Sequence, residues 1–199
     1  MARYTGPKLK LSRRVNAPIA DIPKHTTKRD LTFPGMHGYR GRRLRDYGIR
    51  QNEKQKLKFH YSVLEKQFRR YIAEATRRPG NTGDVLLSLL ERRLDNAVRR
   101  AGLARTIWQA RQMVVHGNVF VNGRKTDRPS FMVRVGDTIT LRAKAQKIGK
   151  DSMESLPGFE VPGWLELNPS EMTLKVVAIP STDQIPFDVN TNLIIEFYR

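Results

Sequence analysis

The stretch Leu90-Glu91-Arg92-Arg93-Leu94-Asp95-Asn96-Ala97-Val98-Arg99-Arg100-Ala101-Gly102-Leu103-Ala104 decides the reading of the fold. Extended back to Leu86, its apolar residues Leu86, Leu87, Leu90, Leu94, Ala97, Val98 and Ala101 fall on one side of a helix turning about 100° per residue. Ser88, Arg92, Asp95, Asn96 and Arg99 fall on the other, so the expectation is one amphipathic helix with an Arg-rich wet face. Gly102 ends it. Thr106 and Gln109 have the spacing of a capping box that opens another helix, running to about His116 and stopped by Gly117. Beyond it, Val119-Phe120-Val121 runs into Asn122-Gly123, the strongest short hairpin signal because both turn residues tolerate positive φ.

Working outward, Val133 to Val135 and Thr138 to Leu141 read as short strands about the turn Gly136-Asp137, which makes the class α+β with a small antiparallel sheet. Upstream, Tyr61, Leu64, Phe68, Tyr71, Ile72 and Ala75 recur at spacings of three and four and predict a helix over 61–76, stopped by Arg77-Arg78-Pro79-Gly80-Asn81. Residues 1–39 show little periodicity, with prolines at 7, 18, 23 and 34 among Lys and Arg. They read as an extended basic arm, either ordered by a partner or a disordered leader. The tail has strand-like runs at Leu174 to Ile179 and Leu193 to Phe197. The expected organisation is a basic arm over 1–45, a helical domain over 46–89, a helix-and-hairpin module over 90–150, and an acidic segment over 151–199 that packs back on the helical region.

Charge names the class of partner. Lys and Arg number 37 against 19 Asp and Glu in 199 residues, a net charge of +18. The first 150 residues carry +24 and the last 49 carry −6. So basic a surface over so much of the chain implies a polyanion touched along an extended path. Without Cys there is no disulfide framework, no thiolate nucleophile and no Cys-bearing zinc site, which fits a reducing cytoplasm. No apolar run approaches the roughly 18 residues that span a membrane, and no signal-peptide core follows Met1. A soluble, unexported protein without a membrane partner is expected.

The quoted helix, together with Gln109-Ala110-Arg111-Gln112-Met113-Val114-Val115-His116-Gly117-Asn118-Val119-Phe120-Val121-Asn122-Gly123, closely resembles the RNA-binding module named after small-subunit ribosomal protein four, the alpha-L motif. The resemblance extends over nearly the whole chain. Met1-Ala2-Arg3-Tyr4-Thr5-Gly6-Pro7-Lys8, Pro34-Gly35-Met36-His37-Gly38, Asp46-Tyr47-Gly48, Glu53-Lys54-Gln55-Lys56, Leu64-Glu65-Lys66-Gln67-Phe68, Gly80-Asn81-Thr82-Gly83 and Trp164-Leu165-Glu166 all resemble that bacterial family. The absence of Cys places the likeness in its zinc-free branch, with no metal or cofactor implied. Two departures stand out: family members often carry Arg where this chain has Ile107, and are more basic near Ser181 and Thr182. The resemblance implies a primary binder of 16S rRNA, in its 5′ domain, that nucleates assembly of the 30S body. It also implies a place near the mRNA entrance channel, support of translational accuracy, and a cytoplasmic, ribosomal location.

The residues expected to contact rRNA are Arg3, Lys8, Lys10, Arg13, Arg14, Lys54, Lys56, Lys58, Arg69, Arg70, Arg92, Arg93, Asn96, Arg99, Arg111, Gln112, His116 and Asn122. For the helix residues a plain solvated face remains open, and Arg93, nearer the apolar boundary, reads equally as a snorkelling residue. Arg40, Arg42, Arg43, Arg45 and Arg50 form a dense patch that lines the mRNA entrance by resemblance, or clamps rRNA generically. Tyr4, Tyr39 and Tyr47 stand as stacking platforms or packing anchors. Glu166, Glu171 and Asp183 lie in a segment whose charge repels phosphate, so they are expected at a protein interface, by resemblance with small-subunit protein five, or else merely balance nearby Arg within the fold. Two rivals stand beside this reading: a free-standing RNA-binding stress factor with the same module, against which the long N-terminal arm argues, and an enzyme, because Arg92-Arg93-Leu94-Asp95 echoes the motif holding the catalytic Asp of pseudouridine synthases. No phosphate-binding Gly loop, HExxH pattern or nucleophile elbow accompanies it, and no second domain remains to build a uridine pocket.

Overall fold

The computed structural model describes residues 4–19, 31–33, 35–40, 44–156 and 159–199. In chain order they form α1 (Lys8–Val15), α2 (Asp46–His60), α3 (Glu65–Arg77), α4 (Thr82–Glu91), α5 (Leu94–Arg100), α6 (Ile107–Val115), β1 (Val119–Val121), β2 (Arg124–Lys125), β3 (Thr138–Leu141), α7 (Ala143–Glu154), β4 (Leu165–Asn168), β5 (Thr173–Val176) and α8 (Thr191–Tyr198), with short 3-10 turns at Gly38–Arg40 and Thr182–Gln184. The class is α+β. Two compact units divide the chain, Met1–Val85 with Phe187–Arg199, and Leu86–Pro186.

In the first unit, Leu11, Val15 and Ile19 are buried at a spacing of four, so the expected extended arm contains a helix. Asn16, in the left-handed region at φ 51°, ends it. Apolar periodicity gives α3 as expected, burying Phe68, Tyr71, Ile72 and Ala75, although it starts at Glu65 because Ser62 turns the chain at φ 51°. α2 is not legible as a helix from its sequence: its buried positions are Lys54, Leu57 and His60, so most of its inner face is charged or polar. The run Leu193 to Phe197 is helical rather than strand-like. Asn190 caps α8 by accepting hydrogen bonds from the amides of Asn192 and Leu193, and Ile194 is buried as α8 packs on α2.

In the second unit a five-stranded antiparallel sheet has the order β2-β1-β3-β5-β4. The Asn122-Gly123 turn is the predicted hairpin, with φ 49° and 74°. Leu94, Ala97, Val98, Met113, Val114, Val119, Val121, Ile139 and Leu141 share one core with Trp164, Leu165, Leu174 and Val176. Residues after 150 therefore do not act as one segment. Leu165 to Val176 complete the sheet, because Ile139 pairs with Leu174 and Leu165 with Val176, whereas residues from Phe187 on meet α2, through Phe187 stacked on His60 and through α8.

Two further expectations change. Val133 to Val135 forms no strand; Met132 makes a lone bridge to Arg93. The helix expected over Leu86 to Ala101 breaks at Arg92 and Arg93, where Arg93 is extended at φ −70°, ψ 139°. Backbone bonds to the 129–133 segment cause the break: Leu94 and Asp95 donate to Phe131 and Pro129, while Val133 donates to Arg92. Tertiary pairing outweighs a helix propensity difference of a few tenths of a kcal/mol.

Candidate nucleic-acid interface

The break in the helix decides which cations are available. Arg93 and Asp95 are both fully buried and form a bidentate pair, Nε to Oδ1 at 3.0 Å and Nη2 to Oδ2 at 2.7 Å. Asn96 Nδ2 donates to Glu91 O (3.1 Å) and Oε2 (2.9 Å), and Arg100 Nε meets the same Oε2 at 3.1 Å. Arg100 also donates to Gln184 O. The expected wet face is thus an internal ionic lattice. Asn96 is 0% and Arg99 7% exposed, so Arg93 and Asn96 pack inside the unit, and Arg99 and Arg111 present little surface. Burial of Arg93 and Arg100 is tolerated because each guanidinium lies beside a carboxylate. Asp95, sealed against Arg93, also lacks the open pocket that catalysis requires.

The exposed cations of this unit lie further along the chain. Arg124 and Lys125 form β2, the outer strand beside the hairpin turn, and both are exposed. On α7, Lys144, Lys147 and Lys150 recur every three residues and are all exposed, with Arg142 as the N-cap. Arg105, Arg128 and Arg134 are exposed as well. None of these stood out in the sequence as an RNA contact, although nine bases against two acids over 106–150 and the three-residue Lys spacing were the available signals. Of the residues expected to touch RNA, Gln112 and His116 are exposed at the end of α6, and Arg92 is half-buried with Nε on Val133 O. Asn122 is exposed but occupied: its amide donates to Asp137 and accepts from Thr138 N, tying the hairpin turn to β3. Only half of the expected capping box forms. Thr106 accepts from Gln109 N, whereas Gln109 Oε1 accepts from Arg105 N.

In the first unit the predicted cations also divide. Lys54 is 5% exposed, lies over the Phe197 ring at 4.0 Å and meets Glu65 at 3.4 Å, so it packs within the unit. Lys58 and Arg69 meet the same carboxylate at 3.0 and 3.6 Å, and Tyr198 donates to it at 2.7 Å. Burial alone would raise the Glu65 pKa, but the Tyr198 and Lys58 hydrogen bonds and the Lys58 and Lys54 charges bring it down to about 2. Burial, then the bond to this carboxylate, push the Tyr198 hydroxyl above its ordinary value. Lys56 pairs loosely with Glu53, and Arg50 with Glu196 at 2.9 Å. Lys8 is half-buried on the Tyr4 carbonyl at 2.7 Å, and Arg13 holds the carbonyls of Thr32 and Phe33. Lys10, Arg14, Arg40, Arg45 and Arg70 are exposed. Arg3, Arg42 and Arg43 lie outside the described residues. Tyr47 stacks at a tilt on Phe197, 5.4 Å between centroids. Glu166, Glu171 and Asp183 are all exposed; the first two line a shallow hollow with Lys175. Among the described residues no cluster of His, Cys, Asp or Glu is arranged to hold a metal, and no helix is long and apolar enough to cross a membrane.

Comparison with known proteins divides the chain near the helix break. The family model described as "Ribosomal protein S4/S9 N-terminal domain" matches residues 3–91, and the one described as "S4 domain" matches residues 92–139. Similar proteins named "Small ribosomal subunit protein uS4" occur in Persephonella marina (48% identity), Roseiflexus castenholzii (47%) and Akkermansia muciniphila (47%), each alignment covering 100% of this chain and 99% of the relative.

Proposed function

Because this chain belongs to the family of small ribosomal subunit protein uS4, we propose that it is a non-enzymatic structural constituent of the small ribosomal subunit that binds 16S rRNA through its exposed basic surface. The carrying observation is the separation of its charge. In the second unit Arg93 and Arg100, each beside a carboxylate, are buried, while Arg124, Lys125, Lys144, Lys147 and Lys150 stand exposed in that same unit, which carries the match to the S4 domain. Such cations act together through counterion release, each neutralised phosphate adding a small, salt-sensitive increment.

In this reading the rRNA target is the 5′ domain, and binding there nucleates assembly of the 30S body. Gln112, His116 and Arg92 contribute beside the exposed lysines, and Lys10, Arg14 and Arg70 extend the surface on the first unit. Arg40, Arg42, Arg43, Arg45 and Arg50 serve the mRNA entrance, a role their density supports. Glu166, Glu171 and Asp183 face small-subunit protein five and support accuracy, since a carboxylate surface repels phosphate and suits a protein neighbour. Sedimentation of a tagged chain from cells tests both levels. The chain is expected in small-subunit particles with 16S rRNA; recovery free of particles would overturn the function. Reversing charge at Glu166, Glu171 and Asp183 is expected to loosen protein five and raise miscoding while leaving rRNA recovery unchanged.

A further inference from the structure

A cavity of about 240 Å³ opens in the first unit, lined by Arg14, Phe33, Leu44, Gly48, Gln51, Asn52 and Gln55. Four of these, at positions 48, 51, 52 and 55, lie along one face of α2 at spacings of three and four. The residues give that face a glycine and three amides, a polar stripe where a packed helix would carry apolar side chains. Phe33 forms another part of the wall and is held in place by two contacts. Arg13 of α1 donates to the Thr32 and Phe33 carbonyls at 2.9 and 3.2 Å, and Gly38 brings its backbone so close that a Cβ there would lie 1.9 Å from the Phe33 carbonyl oxygen.

One atom in this wall is unsatisfied. Gln55 Oε1 is buried and accepts no hydrogen bond among the described residues. A buried acceptor left in that state costs roughly 1 to 3 kcal/mol, so its presence points to a donor arriving from outside. The cavity is smaller than the roughly 300 to 1,000 Å³ of drug-sized sites, which suits a single planar ring system. An aromatic ring, a guanidinium and side-chain amides are the groups that grip an unstacked base, the first two by stacking and the amides along its edge. Arg14 is exposed at the rim, where a phosphate attached to such a base would lie.

We propose that this cavity takes one splayed-out nucleobase bearing an exocyclic amino group, which donates to Gln55 Oε1 while the ring packs against Phe33. The inference rests on the RNA-binding reading above and gives it a second kind of contact, base recognition beside phosphate attraction.

The full chain, labelled with ¹⁵N, is titrated with AMP and separately with ribose 5-phosphate while the side-chain amide resonances of Asn52 and Gln55 are followed. AMP is expected to shift both to saturation and ribose 5-phosphate to leave them in place. Equal shifts from the two would mean that only a phosphate binds, at Arg14; no shift from either would mean that the cavity admits no base. Both overturn the proposal. Gln55→Leu removes the orphaned acceptor and is expected to fold at least as stably as the parent. It should lose the AMP response and bind a transcript of the 16S 5′ domain roughly five- to tenfold more weakly, with the salt slope unchanged. If Gln55→Leu binds the transcript as the parent does, the base pocket fails and the rRNA reading stands. If the parent itself does not bind the transcript yet responds to AMP, the rRNA reading fails and the pocket stands.

Discussion

Between Glu91 and Arg100 the chain places four arginines beside two carboxylates and encloses nearly all of them, whereas Arg142, Lys144, Lys147 and Lys150 form an equally dense run with no acid among them and stay exposed. The difference is set by partners. Arg93 has Asp95 and Arg100 has Glu91, each within 3.1 Å, so their charges are neutralised in a low-dielectric interior. Among the described residues no ion pair engages Lys144, Lys147 or Lys150, and a solvated helix face is where such charges remain available to phosphate. Arginine content alone therefore does not mark exposed charge: the more acid-rich stretch is the buried one.

The comparison breaks most visibly at Arg93. Arg93→Ala leaves the Asp95 carboxylate buried without its bidentate partner, a change expected to cost about 3 to 5 kcal/mol. Urea denaturation should show the midpoint falling by that equivalent with the slope retained. A stable, native-like variant with selectively weakened rRNA affinity would instead make Arg93 an RNA contact and undo the distinction.

The opposite change is made on α7. Replacing Lys144, Lys147 and Lys150 together by Ala is expected to leave thermal stability nearly unaltered, since exposed positions contribute within about 0.5 kcal/mol. The slope of log affinity against log salt for the 16S 5′ domain should fall by roughly 2 to 3, about 0.7 to 0.9 for each phosphate that is no longer neutralised. An unchanged slope would move the RNA surface off α7.

Apolar spacing makes α3 readable in the sequence, Thr106 and Gly117 mark the ends of α6, and the Asn122-Gly123 hairpin needs positive φ at a fixed place. Spacing fails at α2, whose inner positions are Lys54, Leu57 and His60, and at Leu193 to Phe197, where a short apolar run suits a strand or a helix equally until Asn190 caps it. The helix through Arg92 departs from its local pattern for a different reason. Its end is set by hydrogen bonds to residues 129–133, about 40 positions away, and no local pattern encodes them. For the same reason the family resemblance is legible from motifs while the exposure of each cation is not. Whether an arginine meets a phosphate or a buried carboxylate depends on the tertiary position of Glu91 and Asp95.

Glu65 lies between the two extremes, a half-exposed carboxylate shared by Lys54, Lys58, Arg69 and Tyr198, and it gives the smallest expected effect. Its folded pKa of about 2 is below the ordinary 4.5, so between those values the unfolded chain binds the extra proton. The stabilisation is complete above about pH 4.5 and is lost as the pH falls toward 2. Solvent around the cluster screens it, so the pH-dependent part is expected to be modest beside the Arg93 effect. Glu65→Gln keeps an acceptor for Tyr198 but removes the titrating charge. Its stability, followed by urea denaturation from about pH 6 down to about pH 2.5, should fall less steeply than that of the parent, with the two curves converging at the acid end. Parallel curves would show that Glu65 does not hold α8 to α2 through its charge, leaving Ile194 packing and the Lys54–Phe197 contact to carry that junction.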